Sequence, residues 1–463
     1  MLAPLVCSLI YGEAEVRAFG LAAAITAGGG LLLIRLGRER GEAYRREGIL
    51  VVAGGWILAS IFGALPYLFA GTFDHPMDAL FESASGFTTT GASVMTEIEI
   101  HARGLLFWRS FTQWLGGMGI IVLFVALLPE LGPGARFLYK MEVPGPSAES
   151  LQPRIRDTAA ILWKIYLALT ALQSGLLMLC GMDLYDALTH TFSTLSTGGF
   201  SPRNASVAAF DSVAIELVVI VFMFLAGANF SLYFRVWAGG RKRWSLFRDS
   251  EFRLYALIAA GVTAVLTFDL MRHATYSNLA EAVLDSTFQT LSLLTTTGFA
   301  TADFDAWPTL SRILLVALMF VGGCAGSTAG SMKVMRMVIG LKSALREVRL
   351  IFSPNNILGV FVGGRRVPDQ VVHSVAGFFI LYLSTWAVGA LLLSIGGPDI
   401  VTTATASAAT IGNIGPGLNV VGPTQNFAFF SAADKGLMVF LMWLGRLEVY
   451  SIAALLTRSF WRP

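Results

Sequence analysis

The chain has 463 residues, of which 55% are hydrophobic and only 14% charged. A soluble globular protein carries roughly a quarter charged residues, so the composition excludes a soluble enzyme or binding domain and points to a membrane protein of many spans. The formal net charge of +3 is small and leaves no electrostatic footprint for nucleic acid, and none is expected as a partner.

In chain order, residues 1–11 form an apolar run too short to cross a bilayer alone, expected to be a partial helix whose first half lies upstream. The opening Met1-Leu2-Ala3-Pro4 lacks the basic segment of a cleavable signal peptide. Apolar runs follow at 16–36, 48–71, 104–129, 157–181, 211–236, 252–271, 308–341, 370–395 and 433–460. Each is expected to cross ~30 Å of hydrocarbon as one helix, which takes about 20 residues. Cys7, Cys180 and Cys324 lie in such runs and are expected to be reduced packing residues.

Basic residues cluster in alternate connections: Arg35 to Arg46, Arg136 to Arg156, Arg235 to Arg253 and Lys333 to Arg366. Such loops stay in the cytoplasm. The connections between them are nearly free of Lys and Arg and are expected to face outward.

Those outward connections repeat a pattern. They contain Thr88-Thr89-Thr90-Gly91-Ala92-Ser93, Ser196-Thr197-Gly198-Gly199-Phe200-Ser201, Thr295-Thr296-Thr297-Gly298-Phe299-Ala300 and Thr410-Ile411-Gly412-Asn413-Ile414-Gly415. Measured at Gly91, Gly198, Gly298 and Gly412, the separations are 107, 100 and 114 residues. Asp78, Asp186, Asp285 and Asp399 precede those glycines by 13, 12, 13 and 13 residues. The segment between rises ~14 Å as a helix, half a bilayer. Pro76, Asp183, Asn278 and Pro398 mark its starts, and acidic residues suit a positive helix N-terminus.

The chain therefore reads as an all-α membrane protein of four span, half-helix, loop, span units around one axis. Residues 1–47 are peripheral; units one to four occupy 48–135, 136–240, 241–365 and 366–463. The loops are expected to line the axis with backbone carbonyls that replace the water shell of a monovalent cation. Glycine allows the positive φ such a loop needs, and threonine adds a hydroxyl oxygen. The filter residues are Thr89, Thr90 and Gly91; Ser196, Thr197 and Gly198; Thr296, Thr297 and Gly298; and Thr410, Ile411, Gly412 and Asn413. They include no carboxylate, which disfavours a divalent ion.

Two further features border the axis. Residues 321–333 hold Gly323, Gly326, Ser327, Thr328 and Gly330 inside an apolar run and end at Lys333. So much glycine breaks a helix, and the segment reads as an intramembrane gate loop, or else as a kinked, closely packed helix. Arg446 lies in the last run, where a charge must face a cavity or a partner. It is expected to project beneath the filter as an electrostatic barrier. His75, His101, His190, His273 and His373 are scattered, and no metalloprotease, Walker or nucleophile-elbow motif is present.

At these residues the chain resembles the Trk/Ktr/HKT superfamily of potassium transporters, most of all its bacterial TrkH branch. The resemblance covers the whole chain. It rests also on Gln113-Trp114-Leu115-Gly116-Gly117-Met118-Gly119, Gly322-Gly323-Cys324-Ala325-Gly326-Ser327-Thr328-Ala329-Gly330, Gly415-Pro416-Gly417-Leu418 and Gly445-Arg446-Leu447-Glu448. It implies potassium uptake at a bacterial inner membrane, with K+ as cargo and no organic cofactor. It implies a homodimer in membrane lipid, one pore per subunit, and a cytosolic nucleotide-binding ring of the RCK/TrkA type as regulator. Serine at the first filter glycine goes with sodium permeation in this superfamily; this chain has Gly91. Where the family usually has three glycines before its lysine, this chain has Ala329-Gly330-Ser331. The rival functions are a sodium-permeable conduit of the same fold and a secondary carrier of an organic solute.

Overall fold

The structure is a computed structural model that describes residues 1–37, 45–127, 151–237, 248–353, 355–356, 358–455 and 457–461. Arg38, Arg40, Arg136, Lys140, Arg241, Lys242 and Arg243 of the basic clusters lie outside the described residues, as do the unit boundaries at 135 and 240.

Two helices precede the repeat, α1 (Leu2–Tyr11) and α2 (Val16–Leu36). Unit one comprises α3 (Arg45–Phe69), α4 (Pro76–Phe87) and α5 (Arg103–Leu127). Unit two comprises α6 (Leu151–Leu179), α7 (Leu184–Leu195), α8 (Val213–Ala226) and α9 (Phe230–Trp237). Unit three comprises α10 (Ser250–Arg272), α11 (Leu279–Leu294), α12 (Thr309–Val321) and α13 (Val334–Phe352). A hairpin of β1 (Val360–Val362) and β2 (Arg365–Val367) leads into unit four. That unit comprises α14 (Asp369–Ser394), α15 (Ile400–Ile411), α16 (Ala432–Arg446), α17 (Tyr450–Leu455) and α18 (Arg458–Trp461). Among the described residues, five helices are long and apolar enough to cross a membrane: α2 and the first helix of each unit.

The half-helices start where their capping chemistry puts them. Pro76 takes the first position of α4, while Asp183, Asn278 and Asp399 cap α7, α11 and α15 by accepting backbone N–H bonds. Asp78 and Asp186 fall in the first turns of α4 and α7. Asp285 does not begin a helix. It lies two turns inside α11, accepting from the Tyr276 and Thr301 hydroxyls, because that helix is 16 residues long and the others 12.

Three of the apolar runs are broken: those of units two and four, contrary to the single span expected of each, and that of unit three at its glycine-rich segment. The second helix of unit two stops at Ala226 and resumes at Phe230; that of unit three stops at Val321 and resumes at Val334; that of unit four stops at Arg446 and resumes at Tyr450. Hydropathy hid the breaks of units two and four because residues 227–229 and 447–449 are short interruptions between apolar helices. Backbone geometry marks those of units three and four, where Gly322, Glu448 and Val449 have positive φ.

Polarity is inverted relative to a soluble protein. Leu36, Leu179, Leu257, Ile380, Leu391 and Ile400 are exposed, while Thr88, Thr90, Ser196, Thr297 and Thr410 are fully buried at the centre. Many central hydroxyls return a hydrogen bond to their own helix, such as Thr194 to His190 O (2.7 Å) and Thr410 to Ala406 O (2.8 Å). Unit four closes on unit one. Lys435 pairs with Asp78 at 2.6 Å, Phe427 N donates to Ser93 O at 2.8 Å, and Asn413 donates to the Thr90 hydroxyl at 3.0 Å.

Candidate functional site

All four half-helices end in the same way. Thr88, Ser196, Thr295 and Gly412 are their C-caps. Thr89, Thr197, Thr296 and Asn413 follow in the left-handed region, with φ of 54°, 56°, 57° and 52°. Their N–H groups bond back to Gly86, Thr194, Leu293 and Thr410, while Thr90, Gly198, Thr297 and Ile414 bond back to Ser85, Ser193, Ser292 and Ala409. This is the Schellman closure, repeated four times. Its left-handed position normally holds glycine. A β-branched residue there costs about 1–2 kcal/mol, and strain of that kind concentrates at functional sites.

One residue further on stand Gly91, Gly199, Gly298 and Gly415, with φ of 80°, 75°, 79° and 102°. A methyl on Gly91 would lie 2.0 Å from Gly198 O; on Gly199, 1.9 Å from Thr297 O; on Gly298, 2.1 Å from Ile414 O; and on Gly415, 3.0 Å from Thr90 O. Each loop thus abuts the carbonyl of the next, and the fourth abuts the first. The contacts run once around a ring, and all four glycines border one cavity of about 100 Å³.

The ring corrects the register expected for two units. Gly198 precedes the strained glycine, which is Gly199, and Gly412 is an ordinary right-handed cap with φ −80°, its counterpart being Gly415. Ser196 is likewise a cap, and Thr410 and Ile411 belong to the last turn of α15. Thr89, Thr90, Gly91, Thr197, Gly198, Thr296, Thr297, Gly298 and Asn413 do lie in the loops. A sequence signal for unit two existed: Gly199-Phe200 aligns with Gly298-Phe299.

Side chains outside the four loops brace the ring. Gln113 of α5 donates to Gly198 O at 2.7 Å and accepts from Phe200 N at 3.0 Å, gripping loop two on both sides of Gly199. Glu82 and Arg109 form a buried ion pair at 2.6 Å. Glu82 also accepts from Ser93 and Val94 N, while Arg109 donates to Ser201 O and to the Ser93 hydroxyl and lies over the Phe200 ring. The pair joins loop one to loop two. Its signal was an Arg inside an apolar run and a Glu inside a half-helix.

Beneath the ring, residues 322–333 form an irregular loop between α12 and α13. Its tip meets the half-helix ends: Gly330 N donates to the Thr296 hydroxyl (2.7 Å), and the Thr328 hydroxyl donates to Leu195 O (3.0 Å). A methyl on Gly330 would lie 2.2 Å from Gly412 O. Gly326 O accepts from Phe230 N, Ser327 bonds within the loop to Cys324 O, and Lys333 donates to Ala329 O while staying buried. Gly323 O accepts from Val334 N across the loop's base. Arg446, 3% exposed, donates to Thr328 O (2.9 Å) and to Gly116 O (3.1 Å). Arg446, Lys333, Gly330 and Asn413 border a second cavity of about 20 Å³. The neighbouring Glu448 pairs with Arg336 at 2.5 Å.

His190 packs between Phe210 and Phe299, its ring nitrogens facing Asp186 O and the Ser201 hydroxyl. Among the described residues no cluster of His, Cys, Asp or Glu could hold a metal ion.

The family model described as TrkH, cation transport protein, matches residues 15–461. The chain is 40% identical over 465 residues to the Trk system potassium uptake protein TrkH of Halomonas elongata, covering all of this chain and 96% of that relative. It is 38% identical over 468 residues to the protein of the same name from Escherichia coli, with the same coverage. The crystal structure of the potassium transporter TrkH from Vibrio parahaemolyticus matches with a TM-score of 0.92 at 37% identity, covering all of this chain and 96% of that one.

Proposed function

The chain belongs to the TrkH family of cation transport proteins, and from that membership we propose that it takes up potassium through the ring of four loops. The observation that carries this reading is the ring itself: four strained, carbonyl-rich turns in contact around one cavity. Carbonyls left unpaired at membrane depth cost several kcal/mol unless something satisfies them, and a dehydrated monovalent cation does so. The half-helix C-termini converge on this ring, and their partial negative charge favours a cation. A membrane potential of 100 mV supplies about 2.3 kcal/mol per charge, enough to drive entry.

In this reading the filter positions are Thr89-Thr90-Gly91, Thr197-Gly198-Gly199, Thr296-Thr297-Gly298 and Asn413-Ile414-Gly415. The ring opens outward at the inner membrane of a bacterium, the basic loops face the cytoplasm, and two copies assemble in lipid with a nucleotide-binding ring of the RCK/TrkA type beneath. The loop at 322–333 is the gate and Arg446 its strap and charge barrier. The names of the relatives support potassium as cargo. The repeats all run in one direction, whereas the carrier reading expects inverted repeats with half-helix N-termini at the midplane.

Expression in a bacterium stripped of its potassium uptake systems is expected to restore growth at low potassium; no rescue by a folded, membrane-inserted protein would refute the proposal. In the same cells Gly91→Ser is expected to lower the rubidium-to-sodium flux ratio about tenfold, equivalent to ~1.4 kcal/mol. An unchanged ratio would remove loop one from the selectivity site.

Arg446→Ala removes a buried charge and two hydrogen bonds, one of them holding the loop at Thr328. Rubidium flux into vesicles is expected to rise roughly tenfold, since charged hydrogen bonds contribute about 1.5–3 kcal/mol each. Wild-type flux would deny Arg446 any part in gating.

A further inference from the structure

Glu251, in the first turn of α10, is 4% exposed and takes no part in the pathway described above. Its Oε1 accepts from Ala325 N at 2.8 Å and from Met335 N at 3.0 Å. Ala325 is the fourth residue of the irregular loop, and Met335 is the second residue of the helix that follows it. A single carboxylate oxygen therefore ties the two ends of the loop together. One backbone bond, from Val334 N to Gly323 O at 3.0 Å, closes the same base. The side chains of Ala325 and Met335 also pack with Val360, Val362 and Val367 of the hairpin.

The contacts at the two extremes differ in kind. The tip is held by two neutral partners, the Thr296 hydroxyl and the Leu195 carbonyl, and by the cationic Arg446, which donates to Thr328 O. The base is held by a carboxylate, and hydrogen bonds to an ionised acceptor are about twice as strong as neutral ones. A buried carboxylate that loses both donors loses two charge-assisted hydrogen bonds, which is unfavourable. Both segments are accordingly held through the same buried acceptor.

We infer that Glu251 is a positioning residue that pins both ends of the 322–333 loop as one unit and sets how readily the loop leaves the pathway. The inference rests on the reading of that loop as the gate. It couples the two segments, because both donors depend on one buried acceptor atom.

Cys324, inside the loop and fully buried, is a built-in reporter. With Cys7→Ala and Cys180→Ala in place, the full chain is reconstituted in lipid vesicles and Cys324 is labelled with N-ethylmaleimide. Glu251→Gln keeps the shape and loses the charge. It is expected to speed labelling and rubidium flux about tenfold each, with the rubidium-to-sodium ratio and the melting temperature unchanged. Glu251→Asp, which keeps the charge but shortens the reach, is expected to give a smaller acceleration and serves if the first variant does not fold. Unchanged labelling, or faster labelling with lower flux and loosened selectivity, would overturn the pin. A loop shortened by deleting 327–330 separates the two readings. If it raises flux while Glu251→Gln changes nothing, the pin fails and the gate stands. If it leaves flux unaltered while Glu251→Gln speeds labelling, the pin stands and the gate fails.

Discussion

Alanine at Gly199 is expected to reduce rubidium flux about a hundredfold, and alanine at Gly298 to do the same. Two costs add. An alanine held in the left-handed region loses about 1–2 kcal/mol, and a methyl forced against packed neighbours about 1–3 kcal/mol. At Gly199 the neighbour is the Thr297 carbonyl at 1.9 Å, and at Gly298 the Ile414 carbonyl at 2.1 Å. Neither is a flexible side chain that can swing away, so the ring must widen. Gly181→Ala isolates the strain. That residue has φ 105° but lies exposed, with nothing within 4 Å of an added methyl. It is expected to lower the melting temperature slightly and leave flux alone. Near-normal flux in Gly199→Ala vesicles would mean the loops do not meet at the conducting centre.

The second large effect is expected at the Glu82–Arg109 pair. Removing one member of a buried ion pair costs about 3–5 kcal/mol, because the other charge is left uncompensated. Glu82→Ala and Arg109→Ala are each expected to lower unfolding stability by that amount and to abolish flux. Glu82→Met with Arg109→Met is expected to recover much of the stability, since apolar replacements of similar volume remove both charges together. Flux is not expected to return with it. The bonds to Val94 N and Ser201 O, which align the first two loops, stay lost. Denaturant unfolding and vesicle flux, run side by side, check both halves. Flux restored in the double variant would reduce the pair to a packing element.

The four-unit architecture was legible in the sequence because hydropathy, charge and capping each mark it independently. Pro76, Asp183 and Asn278 announce the half-helices by local chemistry alone, and the structure puts helix starts there. The loops were legible as Thr/Gly clusters, but their register was not. Gly198 and Gly412 matched the Thr-Gly pattern, yet φ follows from where a helix ends, and α7 and α15 end at Leu195 and Ile411. The motif around Gln113 was visible as a string; its grip on the second loop joins residues 85 apart in the chain. The breaks at Ala226 and Arg446 escaped because a helix and a kinked pair of helices bury the same apolar residues. Glu251 carried no local signal at all. Its meaning comes from two donors 74 and 84 residues away.

The seam between the last quarter and the first has a consequence for biosynthesis. Asp78, Ser93 and Thr90 are synthesised early, while Lys435, Phe427 and Asn413 emerge from the ribosome almost at the end. Until then the first half-helix has one bare flank and an acidic residue without its counter-ion. A chain truncated before the final quarter cannot complete itself. Such a chain leaves Asp78 and the Ser93 carbonyl without the partners that unit four supplies.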